Sequence, residues 1–298
     1  MRNKRVNNPL FYSHCPMVKW YHTALWRRGS WFESRSGSSC GAEFPDFLMR
    51  DAENHSIMSP LNRPSLSVVL PTYNERINIG LLIPQIEEVF RGVLKEIIVV
   101  DDSSPDGTGE EANRFKQIFP QIKLFVQSEK GGIGKALRFG YGQATGDVIL
   151  SSDVDLSFSV FDLRKIYDTL VTGYDLVVGS RHTPLGDYEV PSLKIKLKYL
   201  ASKFGNRLLN GIFKVPVHDF SANCRAIRRS LWNSLETREN TNFFLFEMIL
   251  LAARAKARIT EVPVSFKDRR YGVSKINHLV EIPKAFGRMI VFLLNSRK

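Results

Sequence analysis

From Ser65 onward the chain alternates short apolar runs with stretches of helical periodicity, and that alternation restricts the fold more than any other feature. Runs at 66–70, 97–100, 122–126, 148–150 and 175–179 have strand length and little polar interruption. Such runs suit strands buried on both faces of a sheet. Between them, 74–90, 109–119, 131–144 and 160–169 read as helices. The first shows the spacing most clearly, with Ile79, Leu82, Ile83, Ile86, Val89 and Phe90 on one face. Pro84 inside it predicts a kink or a late start, and Pro71 is expected to end the first strand. Strands alternating with helices imply βαβ units, hence an α/β fold with a mainly parallel sheet flanked by helices. With 298 residues and 43% hydrophobic content, one large domain can bury a sizeable core.

In open α/β sheets, ligands bind beyond the carboxyl ends of the strands. Polar clusters fall at those ends here: Pro71-Thr72-Tyr73-Asn74-Glu75, Asp101-Asp102-Ser103, Asp153-Val154-Asp155 and Gly179-Ser180-Arg181. Helix caps and turns account for Ser103, Ser104 and Asp106. They do not account for carboxylates recurring at three strand ends, where like charges repel unless a cation lies between them. Asp153 and Asp155, two apart on an extended chain, project to one side and can converge on an ion. Hard oxygen ligands suit Mg²⁺ or Mn²⁺, which commonly complete their coordination with substrate phosphates. Taken alone, the same pair also reads as a solvated acidic turn.

The net charge of +12 is unevenly spread. Residues 254–298 hold eleven Lys/Arg against three Asp/Glu, a concentration that favours a phosphate, a polyanion or an anionic membrane surface. Segments 193–213 and 282–294 read as basic amphipathic helices that either lie on a membrane or pack on the sheet. No apolar run approaches the roughly 18 residues of a membrane span. Cys15, Cys40 and Cys224 form no CxxC pair and no disulfide framework, as expected in a reducing cytosol. Residues 1–62 lack periodicity yet carry Trp20, Trp26 and Trp31; one expectation is that they are not native and that translation starts at Met58.

PTYNE, VDDSSPDGT, GDVILSSDVDLS, GSR and the stretch from Glu261-Val262-Pro263 to Arg269-Arg270-Tyr271-Gly272-Val273-Ser274-Lys275 occur in one order. Together they resemble family 2 glycosyltransferases of the GT-A fold, and within them the dolichol-phosphate (polyprenol-phosphate) mannosyltransferases. The resemblance implies that Pro71, Tyr73, Glu75, Asp101 and Asp102 hold a nucleotide-sugar. It implies that Asp153 and Asp155 bind the metal and diphosphate, and that Arg181, Arg269 and Lys275 hold the phosphate of a lipid acceptor. Asp153, Asp155 and Arg181 are the catalytic candidates. Asp219 matches an Asp that the family places shortly before SGFR; here Ala222-Asn223-Cys224-Arg225 stands in that place, a departure that bears on sugar specificity.

Glu247 is a further candidate, a carboxylate in the apolar helical stretch 243–253 that needs either a cation or a polar cavity. Arg181 also reads, as the lesser alternative, as half of an ion pair. Lys130-Gly131-Gly132-Ile133-Gly134-Lys135-Ala136 departs from a Walker A loop in spacing and in Ala136, so a glycine-rich helix start close to the nucleotide is expected instead. The domains expected are an N-terminal extension at 1–62, a GT-A domain at 63–270 and a basic tail at 271–298.

The implied reaction is metal-dependent, inverting transfer of a hexose, mannose from GDP-mannose, to dolichyl or polyprenyl phosphate. Glucosyl or other hexosyl transfer to the same lipid is the alternative. A non-catalytic basic adaptor for membrane or nucleic acid is the alternative of another class. Nucleic acid is not expected as a partner, since no recognition motif accompanies the charge. The expected location is cytoplasmic, peripheral to the cytoplasmic face of a membrane, with a membrane-anchoring protein as a candidate partner.

Overall fold

The computed structural model describes residues 63–183, 205–207, 209–267 and 287–288. Seven strands form one sheet: β1 (Leu66–Thr72), β2 (Leu94–Asp101), β3 (Ile122–Val126), β4 (Val148–Ser152), β5 (Leu176–Ser180), β6 (Cys224–Arg228) and β7 (Ile259–Pro263). Their order is β3-β2-β1-β4-β6-β5-β7. Every neighbouring pair is parallel except those of β6, which runs antiparallel to both β4 and β5. The helices are α1 (Arg76–Val89), α2 (Thr108–Ile118), α3 (Ile133–Gln143), α4 (Val160–Val171), the short α5 (Arg229–Trp232) and α6 (Phe244–Arg254).

The continuous apolar runs are buried as their composition demands. Val68, Val69 and Leu70 of β1, Ile97–Val100 of β2 and Val148–Leu150 of β4 are inaccessible to solvent, which is what helices on both faces of a sheet produce. On one face, Leu137 and Tyr141 of α3 pack with Phe244, Met248 and Ile249 of α6 over Val69, Ile149 and Ile227. Tyr141 lies 4.9 Å from Trp232 and 6.0 Å from Phe244, ring centre to ring centre.

The structure departs from the sequence reading in four places. Strand β1 continues through Pro71 to Thr72, because its pairing with β4 ends at Val69–Ser151 and β2 alone accompanies it further. Helix α1 starts at Arg76 and runs through Pro84 to Val89. Helix α4 extends to Val171. Strands β6 and β7, which no alternation announced, complete the sheet. Residues 1–62 lie outside the described residues, as do 271–298 apart from 287–288, most of the basic helix expected at 193–213 and nearly all of that at 282–294. Among the described residues no helix is long and apolar enough to cross a membrane.

Candidate active site

All four polar clusters lie at the carboxyl edge, on β1, β2, β4 and β5. The antiparallel β6 adds a fifth contribution, since the residues before its start, 219–223, reach that edge between β4 and β5. The backbone bends sharply there. Asn74, Ser103 and Leu156 adopt left-handed conformations with φ near +60°. For Leu156, one residue past Asp155, that is a strained conformation of the kind that concentrates at functional sites.

The β1 and β2 ends are laced together by carboxylates. Asp101, buried, accepts from Thr72 Oγ1 at 3.0 Å, from the Ser104 amide at 3.0 Å and from Ser104 Oγ at 2.5 Å. Asp102 accepts from the Gly131 amide at 2.8 Å and the Gly132 amide at 2.9 Å, fastening the start of α3 to β2. Glu75 takes 2.6 Å from Asn78 Nδ2, and its own amide donates to Thr108 Oγ1. Tyr73 carries the Lys130 ammonium over its ring at 3.8 Å, a cation–π contact. The TYNE and DDSSPDGT residues thus interlock two loops at this edge.

The glycine-rich start of α3 is explained by backbone, as Gly134 shows. A Cβ there would lie 2.1 Å from the Thr241 carbonyl oxygen, and the Lys135 amide donates to Asn240 O at 2.9 Å. Loop 238–241 thus lies directly on this turn. Glu247 holds that loop: buried in the first turn of α6, it accepts the Arg238 and Glu239 amides at 3.0–3.1 Å. Its partners are backbone amides, a third solution beside the cation and the polar cavity expected from sequence. Burial pushes its carboxyl pKa up, and the amides offset only part of that.

At β4, Asp155 is buried and accepts the Ser157 amide at 3.0 Å, while Asp153 accepts from Asn223 Nδ2 at 3.0 Å. Two hard carboxylates one residue apart fit Mg²⁺ or Mn²⁺ by their chemistry. The buried Ser157 hydroxyl beside them has no hydrogen-bond partner among the described residues, so this corner retains unused polar capacity. Among the described residues no cluster of three or more His, Cys, Asp or Glu side chains forms a complete protein cage. Such a pair suits an ion that shares its coordination with a phosphate ligand.

At β5, Arg181 meets Asp219 in a two-pronged pair, Nε to Oδ2 at 2.7 Å and Nη2 to Oδ1 at 3.0 Å. Nη2 also donates to Ser221 Oγ at 2.8 Å, and the guanidinium lies 5.3 Å from the Phe266 ring centre. Asp219 is fully buried; burial pushes its pKa up, and the Arg181 charge outweighs that, holding the carboxyl below the usual range. The ion-pair reading of Arg181 is thus present in the structure. Behind it, Arg225 is wholly buried and donates to the carbonyls of Phe220, Ala222 and Leu245, tying loop 219–223 to α6. Glu261 on β7 receives the His218 and Asp219 amides and His218 Nδ1, fixing the other end of the loop. Arg269 and Lys275 lie outside the described residues, just beyond Lys267, whose amide donates to Ser157 O.

Residues 67–235 match the family described as Glycosyl transferase family 2. The chain belongs to that family. This glycosyltransferase is 32% identical to a polyprenol monophosphomannose synthase from Mycolicibacterium smegmatis over 218 residues, 70% of this chain and 80% of the relative. It is also 32% identical to a dolichol-phosphate mannosyltransferase from Pyrococcus furiosus over 214 residues, 71% of this chain and 59% of that longer protein. Among solved structures, a glucosyl-3-phosphoglycerate synthase from Mycobacterium tuberculosis, bound to Mn²⁺, UDP and glucosyl-3-phosphoglycerate, superimposes with a TM-score of 0.58 at 21% identity, covering 78% of this chain and 79% of the other. A mannosyltransferase from Pyrobaculum calidifontis in complex with GDP-Man and Mn²⁺ gives 0.50 at 19% identity, covering 86% and 66%. These structures share the GT-A fold with the glycosyltransferase described here, as the strand-end motifs implied. The family match also answers the adaptor alternative: the chain is an enzyme.

Ser151, Arg225 and Glu261 lie inside stretches that the motifs single out, but their contacts were not legible there, and Tyr141 lies in none of them. For Asn223 the one cue was the departure of Ala222-Asn223-Cys224 from the family pattern.

Proposed function

We propose that this glycosyltransferase moves mannose from GDP-mannose to a dolichyl or polyprenyl phosphate, with inversion at the anomeric carbon. The observation that carries the reading is the adjacency, across β4, β6 and β5, of a carboxylate pair (Asp153, Asp155) and an oriented guanidinium (Arg181). One half of that arrangement suits a diphosphate donor, the other an acceptor phosphate. The names of the two curated relatives support the sugar and the lipid.

In this reading Pro71, Tyr73, Glu75 and Asp102 border the nucleoside recess, and Asp101 maintains it through the Thr72–Ser104 turn. Asp153 and Asp155 would hold Mg²⁺ or Mn²⁺, which supplies charge neutralisation for the departing diphosphate. The acceptor needs no general base, because a phosphate monoester with a second pKa of about 6 is mostly dianionic at neutral pH. What it needs is alignment for in-line attack on the anomeric carbon. Arg181, whose Nε and Nη2 protons are spent on Asp219 and Ser221, would bring the acceptor phosphate a fixed positive charge rather than its fork, with Arg269 and Lys275 as further cations. The basic residues 271–298 would hold the enzyme to the cytoplasmic face of an anionic membrane, alone or beside an anchoring protein.

The test offers radiolabelled nucleotide-sugars with a polyprenyl phosphate, with and without Mn²⁺. Label should pass from GDP-mannose to the lipid only with metal, and Asp153→Ala should lower the rate by about 10³-fold. Full activity of that variant would overturn the mechanism. Preferential transfer from a glucose donor would replace the sugar assignment and leave the lipid acceptor standing.

A further inference from the structure

Asp153 is approached from behind by a side chain that the family motif does not call for. Asn223 immediately precedes β6, and the antiparallel pairing of β6 with β4 sets it beside Asp153: the Asp153 amide donates to Asn223 O at 3.2 Å, and Asn223 Nδ2 donates to Asp153 Oδ1 at 3.0 Å. The orientation of the Asn223 amide is not arbitrary. The Asp153 carboxylate can only accept, so the NH₂ faces it and Oδ1 is left to accept from Ser151 Oγ at 2.7 Å. Ser151 has a single hydroxyl proton, spent on Asn223, and therefore accepts from Tyr141, whose hydroxyl lies 2.8 Å away. Tyr141 is fully buried, and burial pushes its pKa up, so it stays a neutral donor.

The result is a chain of hydrogen bonds with one direction, Tyr141 to Ser151 to Asn223 to Asp153. Each bond polarises the next in a site from which water is excluded, since Tyr141, Ser151 and Asn223 are all at most 2% exposed. We infer that Asn223 is a positioning residue: anchored by Tyr141 and Ser151, it fixes the rotation of the Asp153 carboxylate toward the divalent ion of the nucleotide-sugar site. Polar partners behind a metal ligand have this effect generally, and their loss typically costs 10- to 100-fold in metal affinity. Asn223 touches neither donor nor acceptor in this assignment. The inference rests on the metal-site reading of Asp153.

The experiment measures Mn²⁺ affinity of the full-length protein in the presence of GDP, by the electron paramagnetic resonance signal of free Mn²⁺, beside the thermal unfolding midpoint. Asn223→Ala should weaken Mn²⁺ binding about tenfold. Ser151→Ala, which releases the amide without touching Asp153, should weaken it in the same sense by a smaller factor. Mn²⁺ affinity within twofold of wild type in a folded Asn223→Ala protein overturns the inference. If Asn223→Ala does not fold, Ser151→Ala decides in the same way. Asp153→Ala separates the two readings. Lost binding there with unchanged binding in Asn223→Ala sinks the positioning role alone. Unchanged binding in Asp153→Ala sinks the metal site, and the role of Asn223 with it.

Discussion

The two halves of the carboxyl edge solve the same problem by different means. On the β1–β2 side, among the described residues, Asp101 and Asp102 accept from hydroxyls and backbone amides and Glu75 from the Asn78 side chain, all within some 30 residues. On the β4–β6–β5 side, Arg181 meets the Asp219 carboxylate and Asp153 the Asn223 carboxamide 70 residues away, and the loop before an antiparallel strand delivers both Asp219 and Asn223. The first half is a pair of hydrogen-bonded loops that the motifs themselves encode. The second is a set of oriented charges whose geometry depends on the sheet being assembled. A base and ribose need shape, whereas a diphosphate and an acceptor phosphate need directed charge; each half has the construction its proposed ligand requires.

This contrast can be broken or sharpened by substitution. The largest effect is expected from Asp219→Asn, which removes the carboxylate charge paired with the Arg181 guanidinium, itself only 16% exposed. Removing one partner of such a pair should cost about 3 kcal/mol in urea unfolding. It should also raise the KM for lipid phosphate more than that for nucleotide-sugar. A cost under about 1 kcal/mol would erase the distinction between the halves.

Next comes Glu96, at the opposite, amino end of β2. Burial raises its pKa, but the Lys123 ammonium and donors from Ser67 and Thr145 together outweigh burial and hold it at about 2, against 4.5 ordinarily. A depressed carboxyl stabilises the fold above its unfolded value, and that contribution is lost as pH falls from about 4.5 toward 2. Glu96→Gln should therefore be about 2 kcal/mol less stable than wild type at pH 7. The gap should close progressively on acidification through that window, and a gap independent of pH would contradict the assignment.

The smallest effect is expected from Asp102→Asn, which sets an NH₂ against one glycine amide while keeping the other bond. About 1 kcal/mol is expected in unfolding. The KM for nucleotide-sugar should rise while that for lipid phosphate stays put. An acceptor effect as large as that of Asp219→Asn would show the halves to be coupled rather than distinct.

The sequence by itself determined the strands from β1 to β5, the helices between them and the four polar clusters at the strand ends, because burial on both faces and helical amphipathicity are written in neighbouring residues. It also carried the family, through motifs in a fixed order. Only the tertiary structure decided that β6 enters the sheet antiparallel between β4 and β5, and hence that Asn223 reaches Asp153 and Asp219 reaches Arg181. It likewise decided that Glu247 binds the backbone of 238–239 and that Gly134 yields space to Thr241. Strand order and loop contact arise from pairing between residues far apart in the chain, and no local period of apolar residues records that choice.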